Sequence, residues 1–182
     1  MARDGRPRIL DGALELLRAD GGGTITLDAA AKQVGLTKPG LMYHFPTKEA
    51  LMLAVVDHVG ARWERMLLDR LGRPMGTASP QQRIRAYVEV ALTAELDRAD
   101  FAIFFDACYR DAFTATWVRR FEPWLALPDD LPAPVRGRLT AARLLADGYW
   151  TAAATGVFPA LARDRAQLIA VVEELLREET VR

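Results

Sequence analysis

The chain has 182 residues, of which 51% are hydrophobic and 26% charged, a balance that allows a buried core and excludes a disordered tail, a collagen-like repeat and a disulfide scaffold. Its 24 basic and 24 acidic residues cancel, so no net field draws it to nucleic acid or membrane. The single cysteine, Cys108, cannot form an internal bridge and suits a reducing compartment.

The start, Met1-Ala2-Arg3-Asp4-Gly5-Arg6-Pro7-Arg8, lacks the apolar run of a signal peptide. No later run reaches the roughly 20 apolar residues that cross a bilayer. The expectation is a cytoplasmic protein with no membrane partner. Ile9, Leu10, Ala13, Leu14 and Leu17 then recur at helical spacing, and Gly21-Gly22-Gly23 should stop that first helix. Thr26-Leu27-Asp28 opens a short second helix that carries Ala29, Ala30, Ala31 and Val34 and ends at Gly35. Thr37 is placed to cap a third helix with Pro39 in its first turn. That helix should run through Tyr43 and His44 until Pro46. Thr47 caps a long fourth helix bearing Leu51, Val55, Val59, Trp63, Met66 and Leu67, which ends near Gly72-Arg73-Pro74.

Residues 72–80 read as a linker in which Ser79-Pro80 caps a fifth helix containing Ile84, Tyr87, Val88, Ala91 and Leu92. An apolar segment follows from Phe101 to Tyr109, and another spans about Ala112 to Leu127, where Pro123 should kink or interrupt it. Pro128, Pro132 and Pro134 form a stiff loop. The last two helices carry Leu139, Ala142, Leu145, Ala146, Tyr149, Trp150 and Ala153, then Leu168, Val171, Val172, Leu175 and Leu176. Nothing alternates with period two. The fold class is all-α with about nine helices, divided into a helix-turn-helix domain over 1–47 and a helical bundle over 48–182.

The segment with a mechanism is 26–48, two short helices joined by Val34-Gly35-Leu36-Thr37, a glycine turn that lets them cross steeply. The chain has only three lysines, Lys32, Lys38 and Lys48, and all lie within this region. Pro39 and Gly40 keep the start of the third helix slim enough for backbone N–H groups to approach a phosphate. Lys38, Tyr43, His44 and Lys48 add donors around it. A helical hairpin inside an ordinary bundle has the same periodicity. The clean separation of the expected buried positions Ala30, Val34, Leu36, Leu41 and Phe45 from the polar ones favours DNA binding.

Gly35-Leu36-Thr37-Lys38-Pro39-Gly40-Leu41-Met42-Tyr43-His44-Phe45-Pro46-Thr47-Lys48-Glu49-Ala50-Leu51 resembles the signature of the TetR/AcrR family of one-component repressors. The resemblance is strong over residues 8–55 and extends to the rest in length, helix count and the long fourth helix. It implies DNA contacts from Thr26, Thr37, Lys38, Pro39, Gly40, Tyr43, His44 and Lys48. Tyr43, His44 and Lys48 would serve phosphates and positions 37–40 would approach base edges. Arg3, Arg6 and Arg8, ahead of the first helix, would either reach nearby phosphates or lie in a frayed terminus.

Scattered features resemble actinobacterial repressors of multidrug-efflux genes: Tyr43-His44-Phe45-Pro46, Trp63, Asp106-Ala107, Phe113 with Trp117, Trp124, and Ala146-Asp147-Gly148-Tyr149. The resemblance implies a small-molecule effector inside the C-terminal bundle, with the fourth helix as lever. Trp63, Phe104, Phe105, Trp117, Phe121, Tyr149 and Trp150 would form its walls, and Asp106 and Asp147 would face a lipophilic cation. An aromatic stripe at this spacing is equally the mark of plain core. Reading palindromic operator DNA calls for a homodimer, for which Ala152, Ala153, Ala154 and Gly156 would allow close approach and Leu168, Val172 and Leu175 would add apolar area.

Other classes fit less well. The one serine, Ser79, sits in a cap, and His44 and His58 are explained locally. No phosphate loop, zinc-ligand spacing or HExxH occurs, so neither an enzyme nor any cofactor or metal is implied. The remaining alternative is an all-α module that binds another protein through an exposed apolar helix face.

Overall fold

The computed structural model describes residues 5–19, 25–93, 98–107, 110–160 and 162–177. Among these residues all regular structure is helical. The nine α-helices are α1 (Gly5–Ala19), α2 (Leu27–Gln33), α3 (Lys38–His44), α4 (Lys48–Leu71), α5 (Pro80–Thr93), α6 (Arg98–Ala107), α7 (Asp111–Leu125), α8 (Ala133–Thr155) and α9 (Arg165–Leu175), with short 3₁₀ turns at Met75–Thr77 and Ala162–Asp164. The glycine run 21–23, Arg3 and Cys108 lie outside the described residues.

The helix starts follow local chemistry. The hydroxyls of Thr26, Thr37 and Thr47 accept the N–H groups of Ala29 (3.1 Å), Gly40 (3.2 Å) and Ala50 (3.0 Å), so α2, α3 and α4 each begin on a threonine cap. At α5 the cap is reciprocal: Gln82 N–H donates to Ser79 Oγ, and Ser79 N–H donates to Gln82 Oε1. Gly35 adopts φ +67 in the turn between α2 and α3, a conformation that would strain a side-chain-bearing residue.

Some expectations are revised. Pro123 does not interrupt α7, because it lies only two residues before the end and Arg83 donates to the carbonyls of Pro123 and Ala126 there. Pro134 belongs to the first turn of α8, where its missing N–H has no partner to lose. Gly156 ends α8 in the left-handed conformation, and Ala154 is buried in its own chain. Both therefore have local roles.

The chain divides into two compact units, Met1–Arg62 with Asp97–Arg120, and Trp63–Leu96 with Phe121–Arg182. In the first, α1 packs on α2, α3 and α6, and α2 packs on α3. Ile9, Ala13, Leu14 and Leu17 of α1 are buried with Ala30, Ala31, Val34, Leu41, Phe45, Leu51, Val55, Val56 and Val59. Helices as short as α2 and α3, at seven residues each, are marginal alone, so this packing is what holds them. In the second unit α5 lies on α8 and α9, closing a core of Ile84, Val88, Ala91, Leu92, Leu139, Ala142, Ala146, Val172 and Leu176. Each large side chain there contributes about 1.5–3 kcal/mol of burial.

Candidate nucleic-acid interface and effector residues

The helix-turn-helix is pinned to α1 by steric fit and by charge. A Cβ on Gly12 would lie 2.4 Å from Val34 Cγ1, so α1 touches the turn at a point that only glycine allows. Arg8 Nη2 donates to the Val34 carbonyl (2.6 Å), and Arg6 Nη1 donates to the His44 carbonyl (3.2 Å) with its guanidinium 4.5 Å from the Phe45 ring centre. Both cations thus satisfy orphan carbonyls at the ends of α2 and α3 and complement their dipoles. They lie inside α1, which begins at Gly5, where the sequence pattern had set them ahead of it.

The opposite side of the motif faces water. Thr37, Lys38, Pro39, Met42 and Tyr43 are exposed, and so is Leu36, which was expected among the buried positions but stands in the turn between α2 and α3; Gly40, His44 and Lys48 are half-buried. Tyr43 is 87% exposed and meets His44 edge-on, with ring centres 5.4 Å apart. A phenol held out this far contributes almost nothing to folding and leaves its hydroxyl available to a phosphate oxygen. The hydroxyl of Thr26 and the N–H of Gly40 are already engaged in caps. One polar pair spans the two helices: Lys38 Nζ lies 2.8 Å from Asp28 Oδ2. Asp28 was not among the expected contact residues, although its place in the first turn of α2 is visible in the sequence.

The residues nominated for an effector divide between the units. Phe104, Phe105 and Trp117 belong to the first, as does Asp106, whose side chain lies outside the described residues. Phe104 packs against Trp117 at 5.3 Å, whereas Phe105 is 51% exposed and stacks on Phe101 at 5.8 Å. Trp63, Phe121, Asp147, Tyr149 and Trp150 belong to the second unit. Trp63 and Trp150 are buried and meet edge-on at 5.4 Å; Phe121 is buried, and Tyr149 packs against the α5–α8–α9 core.

Asp147 accepts the Tyr87 hydroxyl (2.6 Å) and pairs with Arg143 (2.7 Å). Burial raises its carboxyl above the usual range, against the opposing pull of Tyr87 and Arg143. The Tyr87 phenol is pushed well above its ordinary value, first by burial and then by the Asp147 charge. Tyr87 and Arg143 were not among the nominated residues. Arg143 was detectable as the i−4 neighbour of Asp147; Tyr87, on another helix, carried only a core signal.

Further ion pairs tie the helices of the first unit. Arg62 of α4 binds Asp100 of α6, a carboxylate only 2% exposed, and Asp57 of α4 accepts Arg120 of α7 at 2.6 Å. Among the described residues no group of His, Cys, Asp and Glu side chains is arranged to hold a metal, and no helix is long and apolar enough to cross a membrane.

Comparison with known proteins agrees with this architecture. The solved multidrug binding protein EbrR superposes with a TM-score of 0.66 at 20% identity, over 98% of both chains. A member of the TetR family from Streptomyces coelicolor A3 gives 0.64 at 19%, covering 97% of this chain and 100% of that one. At such identities the likeness is one of fold. The nucleoid occlusion factor SlmA of Marinomonas sp. (strain MWYL1) is 29% identical over 97 residues, 53% of this chain and 46% of that protein, so the chain spans under half the length of this relative. Residues 9–55 match the family "Bacterial regulatory proteins, tetR family", and residues 81–177 match "Tetracyclin repressor-like, C-terminal domain". With both profiles matched in order, the second over half of its length, the chain belongs to the TetR family of transcriptional regulators.

Proposed function

We propose that this regulator is a cytoplasmic homodimeric repressor that binds palindromic operator DNA and is released from it by a small lipophilic cation, controlling an efflux or detoxification gene. The observation that carries the DNA reading is the α3 face: a nearly fully exposed tyrosine, flanked by exposed Thr37, Lys38 and Pro39, on a motif whose inward side is wholly packed. Residues 1–47 would read DNA, with Thr26, Thr37, Lys38, Pro39, Gly40, Tyr43, His44 and Lys48 as the contact set. Residues 48–182 would bind the effector and the second copy.

Exposed Leu144 on α8 and Val171 on α9 support a dimer contact through those helices. The paired aromatics support a flat ligand, and the EbrR structure complexed with ethidium offers a precedent of similar fold. A cation approaching Asp147 would have to displace Arg143 from the carboxylate. α4 contributes residues to both units and is the natural lever between effector and DNA.

The test is selection of binding duplexes from a random pool, then anisotropy titrations over a range of salt. Specific binding should weaken steeply as salt rises, because phosphate contacts release counterions. Tyr43→Ala and Lys48→Ala should weaken binding to all sequences, and Lys48→Ala should reduce the salt slope by about one. Unchanged slopes would remove the phosphate assignment. Failure to select any sequence, together with capture of a protein partner at salt-independent affinity, would favour the interaction-module reading.

A further inference from the structure

The one ion pair that spans the exposed side of the helix-turn-helix joins Asp28, in the first turn of α2, to Lys38, the first residue of α3. Their side chains are 67% and 49% exposed. A pair this exposed is screened by water and contributes little to stability, so it does little to hold the two helices together. α2 and α3 are already fixed to one another and to α1 by Ala30, Ala31, Leu41 and the Arg8 bond to the turn. The pair instead places a carboxylate and an ammonium 2.8 Å apart where the motif would meet DNA.

A carboxylate is costly on such a surface. It repels every phosphate it approaches and cancels the attraction of the neighbouring lysine, so it weakens binding to any sequence that offers only backbone. It is offset where it meets a donor, and within the major groove the exposed donors are the amino groups of cytosine and adenine. Lysine is suited to the O6 and N7 acceptors of guanine. An aspartate and a lysine side by side therefore present complementary halves for neighbouring cytosine and guanine edges.

From this we infer that Asp28 is a specificity-determining residue, which tethers Lys38 against non-specific phosphate contact and, with it, reads a C–G edge in each operator half-site. The inference rests on the DNA-binding reading given above. In the free protein Asp28 holds the ammonium. On the correct sequence both groups exchange each other for base edges, and on the wrong one the carboxylate stays unpaired.

The experiment compares the full-length chain with Asp28→Asn, Asp28→Glu, Lys38→Ala and the double variant Asp28→Asn/Lys38→Ala. Each is put through selection from random duplexes and salt titration on an unrelated duplex, with thermal melting as a check on folding. Asp28→Asn should bind the unrelated duplex several-fold more tightly, and its salt slope should steepen by about one as Lys38 is freed for a phosphate. Its selected motif should lose roughly tenfold discrimination at one C·G pair per half-site and keep the other positions.

Asp28→Glu keeps the charge but moves it by one methylene. It should preserve the weak non-specific binding and blur the base preference, which separates charge from position. In the Lys38→Ala background, Asp28→Asn should no longer steepen the slope. A structural role alone would shift melting and leave motif and slope unchanged, and that result overturns the proposal. If the unsubstituted chain selects a motif that Asp28→Asn reproduces, the specificity role fails while the DNA reading stands. If the unsubstituted chain selects nothing, the DNA reading falls and this inference with it.

Discussion

The helix-turn-helix and the α5–α8–α9 core use their polar side chains in contrasting ways. In the first, hydroxyls of Thr26, Thr37 and Thr47 bond to backbone three residues away, and the remaining polar groups face water. In the second, polar groups find partners far along the chain: Tyr87 with Asp147 and Arg85 with Glu173. The motif caps its helix starts locally, while the carbonyls at the ends of α2 and α3 take Arg8 and Arg6 from α1. A unit that must hold three helices together ties charges between them and hides its aromatics.

The sharpest way to break this contrast is to remove one aromatic from each of the two units, Tyr43 from the first and Trp124 of α7 from the second. Trp124 is 1% exposed and Tyr43 is 87% exposed. Trp124→Ala should cost about 3–5 kcal/mol in urea denaturation, whereas Tyr43→Ala should change stability by less than about 0.5 kcal/mol and act on DNA affinity alone. Comparable stability losses would mean that Tyr43 is structural and would remove the main support for the DNA-facing surface.

Next in size is Gly12→Ala. Alanine in mid-helix ordinarily gains about 0.5–1 kcal/mol over glycine, but here its methyl would collide with Val34, and overpacking costs about 1–3 kcal/mol. The melting temperature should fall, and the added substitution Val34→Ala should recover part of the loss. A rise in melting temperature for Gly12→Ala alone would show that the α1–turn contact is looser than drawn.

The caps come third. Thr37→Ala should cost about 1 kcal/mol and Thr37→Ser much less; equal losses would point to the methyl group in place of the hydroxyl.

The smallest expected effect is a pH dependence from the second unit. Because the folded-state carboxyl of Asp147 sits above its unfolded value, the folded chain retains that proton over a range where the unfolded chain has lost it. Stability contributed at this site therefore declines as pH rises from the ordinary carboxylate range to the folded value, then levels off. Tyr87 repeats the pattern above the ordinary tyrosine range, where the unfolded phenol ionises first. Asp147→Asn should flatten the acidic part of the profile measured by denaturation at stepped pH; an unchanged slope would assign it to other carboxyls.

How far each region could be read from residues follows the same divide. The starts of α2, α3, α4 and α5 were legible because a capping hydroxyl and the backbone N–H that donates to it lie within four residues. The stripe of α8 was legible because Leu139, Ala142, Ala146 and Trp150 repeat at helical spacing and are all buried. The residues proposed to face DNA stood out by their place on a short motif. Asp28 did not, since its meaning depends on Lys38 ten residues later, across the turn. In the second unit, Asp147 was legible as a carboxylate in an apolar helix, but its partner Tyr87 was not.

What the sequence determined by itself was therefore the helical class, most helix starts and the family signature, all governed by hydrogen bonds and periodicities that span a turn or two. The tertiary structure alone decided which polar groups distant in sequence pair with each other. Tyr87 and Asp147 are 60 residues apart, Arg120 and Asp57 are 63, and Arg85 and Glu173 are 88. A helical pattern gives the face on which a side chain lies, but not the distant helix that will cover it. That choice is made by how helix faces pack, and it separated the aromatic side chains that fill the core from those left exposed.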